Sequence, residues 1–343
     1  MAGGDILNKK LGKYTINLNS KPKILSTYSI VGPKEGEGPL KDYFDLIVKD
    51  DLNGKDTYEK AESSFVYQAI EECIKGGNKN ITDIDYLIAG DLLNQISSSN
   101  FAARDLDVPF FGIYGACSTM TESLALASML IDGDFAEFTV AATSSHFSSA
   151  ERQFRFPLEY GSQRGPATQW TVTGAAAFLL GRQGNFPYVT SVTIGKVKDY
   201  GAMDPNNMGA AMVPAAVDTI KNHFQDTGRQ PKDYDLIATG DLGKIGREMT
   251  ETLLKKYGYD VKGIYIDCGE EIFDKDTQKT CSGGSGCGCS AVVDSGYIYK
   301  NMMNGKFKRV LLVSTGALMS TISSFQGESI PGIAHAVEVE FGG

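Results

Sequence analysis

The sequence predicts an α/β fold made of two related halves, on three observations. First, Asp83-Ile84-Asp85-Tyr86-Leu87-Ile88-Ala89-Gly90-Asp91-Leu92 returns as Asp233-Tyr234-Asp235-Leu236-Ile237-Ala238-Thr239-Gly240-Asp241-Leu242, a shift of 241 − 91 = 150. Second, Ala116-Cys117-Ser118 with Glu122-Ser123, Gly133-Asp134-Phe135 and Thr143 returns as Gly288-Cys289-Ser290 with Asp294-Ser295, Gly305-Lys306-Phe307 and Thr315, a shift of 289 − 117 = 172. Third, strand-like and helix-like segments alternate in both copies, which builds sheets with helices on their faces. A unit of this size is a duplicated subdomain, not a solenoid repeat. The change of shift places an insertion in the second copy before Gly288.

The elements follow in order. Lys23-Ile24-Leu25 to Ile30-Val31 is a strand running into a Gly- and Pro-rich loop. Phe65, Ala69, Ile70, Cys73 and Ile74 fall at helical spacing, and Gly76-Gly77 stops that helix. Tyr86-Leu87-Ile88-Ala89 and Phe110-Phe111-Gly112-Ile113 are short buried strands. Residues 117–131 form a helix of small and apolar residues, buried nearly all round, and 138–142 the next strand. The second copy gives a strand at 189–197, a helix at 214–224, strands at 236–238 and 263–265, a helix at 290–303 and a strand at 310–313. This alternation implies parallel sheets, with the two equivalent buried helices between them. The halves divide as 1–185 and 186–343, with insertions at 144–171 and 269–287. Both insertions leave from the C-terminal ends of strands, where open α/β sheets hold ligands.

Composition narrows the function classes. The 343 residues carry a formal net charge of −9, with 42% hydrophobic and 22% charged residues. That charge excludes the basic face of a nucleic-acid binder but leaves room for a local cationic pocket. No apolar run approaches the roughly 20 residues of a membrane span, and no signal peptide is expected. The chain reads as soluble in its own compartment, with membrane association only through a partner. Of six cysteines, Cys268, Cys281, Cys287 and Cys289 lie close together. Cys287-Gly288-Cys289 is not zinc-ligand spacing and no histidine lies nearby, so small buried residues in a Gly-rich turn are expected, with no metal. Gly286-Cys287-Gly288-Cys289-Ser290-Ala291 fits a dinucleotide pattern only formally, for lack of a preceding strand. The segment 204–209 has too few carboxylates for a calcium loop and reads as a turn.

Chemistry concentrates at Gly112-Ile113-Tyr114-Gly115-Ala116-Cys117-Ser118, a strand, a tight turn and a helix start. Unpaired N–H groups at such a start favour a thiolate or a bound anion. Cys117 is then either a nucleophile or a small buried residue. This arrangement resembles the thiolase superfamily, with Val172-Thr173-Gly174-Ala175-Ala176-Ala177 similar to the strand closing its first half. The resemblance implies a duplicated five-layered α/β/α/β/α fold whose nucleophilic cysteine begins the first buried helix. It also implies a histidine position, which falls on Ser285, and a histidine or asparagine position, which falls within Thr239-Gly240-Asp241. Of the three histidines, His223 reads as a surface residue, His335 lies near the last strand, and only His146 is a pocket candidate. Condensation needs donors that activate the thiolate and hold an oxyanion, so no catalytic residue and no enzyme activity are expected.

A non-enzymatic branch is the nearer likeness. Ala89-Gly90-Asp91-Leu92-Leu93-Asn94-Gln95, Gly115-Ala116-Cys117-Ser118-Thr119, Ala142-Thr143-Ser144-Ser145-His146, Ala150-Glu151-Arg152-Gln153-Phe154-Arg155, Gly283-Gly284-Ser285-Gly286-Cys287 and Glu328-Ser329-Ile330-Pro331 together resemble the stage V sporulation protein AD family. That resemblance implies a protein that binds dipicolinic acid and acts in its uptake into the developing spore, usually as the calcium chelate. It implies membrane partners of the stage V sporulation A set, a homodimer, no cofactor, and a place in the forespore at the spore inner membrane. Dipicolinate is a flat dianion, which a helix N-terminus, glycine-rich amides and an arginine fork complement. The ligand-binding expectation falls on Cys117, Ser118, His146, Arg155, Ser285 and Gly286. Arg152, Arg155 and Arg164 all lie in the first insertion; each reads as surface, Arg155 least so. The rival reading is a condensing or acyl-transfer enzyme using Cys117; a scaffold with an unused pocket is the third.

Overall fold

Both copies of the repeat are pinned by the same aspartate turn. In the computed structural model, which describes residues 9–154 and 164–342, Asp85 accepts the Glu137 and Phe138 N–H groups at 2.6 and 3.0 Å. Asp235 accepts those of Lys308 and Arg309 at 2.7 and 3.0 Å. Each carboxylate thus fixes where two neighbouring strands begin.

The first half runs β1 (Lys10–Leu11), β2 (Thr15–Asn17), β3 (Lys23–Val31), β4 (Leu46–Ile47), α1 (Tyr58–Gly76), β5 (Tyr86–Gly90), α2 (Ser97–Leu106), β6 (Phe110–Gly112), α3 (Thr119–Asp132), β7 (Thr139–Ser145), α4 (Phe147–Phe154), β8 (Trp170–Thr171) and β9 (Gly174–Gly181). The second runs β10 (Tyr188–Thr193), α5 (Met208–Thr227), β11 (Leu236–Thr239), α6 (Gly243–Lys256), β12 (Tyr265–Asp267), α7 (Cys268–Ile272), α8 (Lys275–Gln278), β13 (Gly284–Ser285), α9 (Cys287–Val293), α10 (Tyr299–Met303), β14 (Arg309–Ala317), α11 (Thr321–Phe325) and β15 (Gly332–Glu340).

Strand order is the same in each half: β3-β9-β7-β5-β6 and β10-β15-β14-β11-β12, the two sheets touching through Tyr188 and Lys23. The sheets are mixed rather than parallel. β5, β6 and β7 run parallel, as do β11, β12 and β14. β9 and β15 return antiparallel beside β7 and β14.

Helices α3 and α9 each pack against strands of both sheets, whereas α1 covers the outer face of the first and α5 that of the second. The result is the five-layered α/β/α/β/α stack. Small residues make the middle layer thin: Ser123, Ala125, Ala127 and Ser128 on α3 and Ala291 on α9 are all buried. The second central helix is not one regular α-helix over 290–303. It begins at Cys287, passes through a π-helical turn at Asp294–Ile298 and resumes as α10. α5 likewise starts at Met208, capped by Asn207, with Pro214 inside it rather than at its head.

One histidine departs from expectation. His223 is fully buried rather than on the surface. Its Nδ1 meets Thr193 Oγ1 at 2.8 Å, and its Nε2 meets the Tyr234 hydroxyl at 2.8 Å and Glu338 Oε2 at 3.3 Å. The helix turns this position toward the second sheet, and the three partners satisfy a ring that would otherwise be costly to bury.

The middle layer sets the stability of the whole. Met120 is fully buried on α3 within a core that includes Ile88, Leu124 and Val337. Met120→Ala should destabilise by about 2–5 kcal/mol. Urea unfolding measures this; a loss within error would mean that the layers close without that side chain.

Candidate functional site

The site forms where the turns of the two halves meet. After β6 the chain reverses at Ala116, whose φ of 51° is left-handed. The turn is locked from within. The Ser118 hydroxyl donates to the Gly115 carbonyl at 2.7 Å, and that of Thr119 to the Ala116 carbonyl at 2.6 Å. α3 therefore begins at Thr119, and Cys117 sits in the turn just before it. From the other half, Gly316 on β14 comes so close that a Cβ there would lie 2.3 Å from the Gly115 carbonyl oxygen. Only glycine allows that approach.

The opposite wall is the turn from β13 into α9. Gly286 has φ of 98°, and a Cβ on it would lie 2.6 Å from Ser145 Oγ. Between the two turns lies a carboxylate, that of Asp241, 1% exposed. It accepts the Gly286 N–H at 2.9 Å, the Ser285 hydroxyl at 3.1 Å and the Thr315 hydroxyl at 3.0 Å. The Cys117 thiol completes the set. Cys117, Ser285 and Gly286 are thus brought together, as the sequence placed them, around a residue that the sequence reading did not select. The signal was present: Asp241 is the repeat partner of Asp91. Asp91 holds its own loop, accepting Leu93 N–H at 2.9 Å and Ser99 N–H at 2.8 Å.

The electrostatics oppose a nucleophile. Burial pushes the Cys117 thiol well above its ordinary value, and the charges of Asp241 and Cys287 push the same way; the Gly286 N–H pulls against them. An isolated helix start would favour a thiolate, but here a carboxylate takes the thiol proton's hydrogen bond. Asp241 itself is pushed up to about 6 by burial, with its four donors pulling it back. Around Cys117, Leu92, Ala150 and Cys287 form an apolar wall backed by Phe154. A cavity of about 580 Å³ opens beside Tyr114 and Phe154, between the 93–96 loop and the segment 318–322. Gln95 and Ile96 on its edge are both left-handed, at φ of 54° and 49°; a β-branched residue there is strained.

The remaining expected residues are placed differently. His146 does not reach the pocket. Its Nδ1 accepts the Ser148 N–H at 3.1 Å and its Nε2 faces the Asp51 carbonyl at 2.8 Å. Its ring lies against Tyr58 and Phe65 of α1, and burial lowers its pKa. Side chains alternate along a strand, so while Ser145 faces α9 its neighbour turns outward. Ser118 is at the site, but its hydroxyl proton is committed to the turn. Arg155 lies outside the described residues. Arg152 is exposed and pairs with Glu59. Arg164 is the inward one: it pairs with Glu151 at 3.1 Å and stacks on Trp170 at 4.7 Å. His335, on β15, accepts the Gly195 N–H at 3.3 Å and is pushed down to about 4 by burial. Among the described residues no histidine hydrogen-bonds to Cys117, Asp241 or Ser285, and no cluster of three or more His, Cys, Asp or Glu side chains is arranged to hold a metal.

Asp241→Asn should speed alkylation of Cys117 by iodoacetamide at pH 8 by about tenfold or more, since one pKa unit is about 1.4 kcal/mol. Peptide mass spectrometry reads the rate at that cysteine alone. An unchanged rate would mean that burial by itself suppresses the thiol.

Comparison with known proteins agrees with this geometry. The family model for stage V sporulation protein AD (SpoVAD) matches residues 12–340. Stage V sporulation protein AD of Bacillus subtilis (strain 168) is 45% identical over 335 residues, covering 98% of this chain and 99% of that one. Among solved structures, an OleA variant from Xanthomonas campestris with bound lauric acid and lauroyl-CoA superimposes with a TM-score of 0.60 at 14% identity, covering 94% of this chain and 99% of that one. Cerulenin-bound OleA gives a TM-score of 0.60 at 16% identity, over 94% and 97% of the two chains. At such identity the likeness to OleA is one of fold.

Proposed function

Because the chain belongs to the stage V sporulation protein AD family, a set of sporulation proteins, we propose that it binds dipicolinic acid at the junction of Cys117, Asp241 and the Ser285–Gly286 turn. On this reading it takes part in uptake of the ligand into the developing spore, with membrane proteins of the stage V sporulation A set. It works at the spore inner membrane as a peripheral protein; no described helix is long and apolar enough to cross a membrane. One observation carries the choice of binding over turnover. The Cys117 thiol faces a buried carboxylate, and the resemblance to thiolases implies a histidine at the position where this chain has Ser285. Nucleophilic catalysis needs a thiolate, and burial together with the negative charge of Asp241 holds Cys117 in its protonated form.

Asp241 also sets a condition on the ligand. A bare dianion is repelled by an ionised Asp241 but can accept a hydrogen bond from a protonated one. The site therefore admits dipicolinate together with a proton, or as its neutral calcium chelate. The cavity beside Tyr114 and Phe154 is the approach that this reading assigns. Its strained Gln95–Ile96 edge fits a binding role, since strain of this kind gathers at ligand sites.

The sign of the pH effect follows. Asp241 is raised to about 6, so it is neutral below that pH and ionised above it. Affinity for calcium-free dipicolinate should fall as pH rises beyond 6, by up to about tenfold per unit for one linked proton. Calorimetry should show this slope in the parent protein, a flat profile in Asp241→Asn, and lost binding in Cys117→Trp, which fills the junction. A benzene analogue lacking both carboxylates should not compete, and acyl-CoA should leave no adduct on Cys117 by intact mass. Unchanged affinity in Cys117→Trp would move the ligand elsewhere, and a stoichiometric acyl adduct would restore the enzyme reading.

The homodimer of this proposal uses the edge of the first sheet. β6 is the outermost strand there and carries Phe111, half exposed, with Phe101 and Tyr114 exposed nearby. An exposed apolar edge strand is a template for pairing with another chain. Light scattering should give twice the 37.0 kDa chain mass, and Phe111→Lys should give monomers; a monomeric parent protein would refute the dimer.

A further inference from the structure

The geometry points to Gln169 as the positioning residue of the site, a single amide from the first half's insertion that holds both second-half turns in register. Gln169 is 3% exposed. Its Nε2 donates to the Asp241 carbonyl at 2.7 Å and to the Gly284 carbonyl at 2.7 Å. One of these carbonyls belongs to the residue whose carboxylate faces Cys117. The other precedes Ser285 and Gly286, which donate to that carboxylate. The amide therefore fixes the spacing between the acceptor of the site and two of its donors.

The surroundings are built to hold that side chain. β8 and β13 pair in parallel, with the Trp170 N–H on the Gly283 carbonyl and the Val172 N–H on the Ser285 carbonyl, both at 2.8 Å. Arg164 donates to the Gln169 backbone carbonyl at 3.0 Å while stacked on Trp170 and paired with Glu151. Two glycines line the slot. A Cβ on Gly243 would lie 3.1 Å from Gln169 Nε2, and one on Gly209 would lie 3.8 Å from its Oε1. The two buried carbonyls each need a donor, and one NH2 group supplies both. Glutamate at this position would turn an acceptor toward them, methionine would leave both unpaired, and asparagine, one methylene shorter, would reach at most one.

The titratable groups that face Cys117 are Asp241, Cys287 and Tyr114. Of these, only Asp241 is held by Gln169. Relaxing the Asp241 turn should thus make the thiol easier to ionise as well as loosening the ligand site. The ligand half of this inference rests on the dipicolinate reading above; the thiol half does not.

The test follows the pH profile of Cys117 alkylation, read by peptide mass spectrometry, and dipicolinate affinity, read by calorimetry, in Gln169→Met and Gln169→Asn. Phe178→Leu, in the core away from the site, serves as a control for general destabilisation. Gln169→Met should move the alkylation profile down by about one pH unit or more and weaken dipicolinate binding by about tenfold or more. Gln169→Asn should shift both in the same direction by less, and it decides the matter if the methionine variant does not fold. The control should lower the melting temperature and leave both readouts in place. A shifted thiol profile with no dipicolinate binding in the parent protein would sustain the positioning role and overturn only the ligand. An unchanged profile in the folded Gln169 variants, or an equal shift in the control, would overturn the positioning role.

Discussion

The structure turns on one buried carboxylate. Asp241 lies between two halves of a duplicated protein and gathers donors from both: the Cys117 thiol from the first, and Ser285, Gly286 and Thr315 from the second. A buried carboxyl without such partners would be expensive, and with them it becomes the tie that sets the distance between the turns. Gly316 is there because the Gly115 carbonyl comes too close for a Cβ, and Gly286 because its backbone is left-handed and Ser145 fills the space a side chain would need. The same carboxylate, together with burial, raises the Cys117 thiol well above its ordinary value.

Duplication explains how such a junction arises. Asp91 and Asp241 occupy equivalent turns, after β5 and β11, yet one folds its own loop, while the other holds the β13–α9 turn and β14 of its own half and faces Cys117 of the first. The difference lies in what each strand end meets. The 93–99 segment returns to Asp91, while Asp241 faces the β13–α9 turn delivered by the second insertion. The insertions themselves meet through β8 and β13, so the two additions to the repeat are also what closes the site.

Much of this was legible in the sequence. The repeat gave the halves, and the small-residue stretch after Cys117 gave the central helix. The glycine-rich run before Cys289 gave the opposing turn. What was not legible depends on facing. Ser145 and His146 are adjacent, but pleating sends one to α9 and the other to α1, so a pocket histidine became an outer-face one. His223 had helical spacing suited to the surface, and only the tertiary partners Thr193, Tyr234 and Glu338 make its burial tolerable. Asp241 was visible as part of a repeat and as a missing histidine. Its role depends on which hydroxyls, amide and thiol converge on it, and those come from positions 44 to 124 residues away. The mixed sheets escaped a pattern argument because hydrophobic runs do not encode strand direction.

A crystal structure of the protein with calcium-free dipicolinate at pH 5.5 tests the central claim most directly. The account predicts the pyridine ring at the junction, between the Cys117 turn and the Ser285–Gly286 turn, with one carboxylate within hydrogen-bond reach of Asp241 and no bond to the Cys117 sulfur. Ligand density elsewhere on the protein, with the junction unchanged, would contradict it.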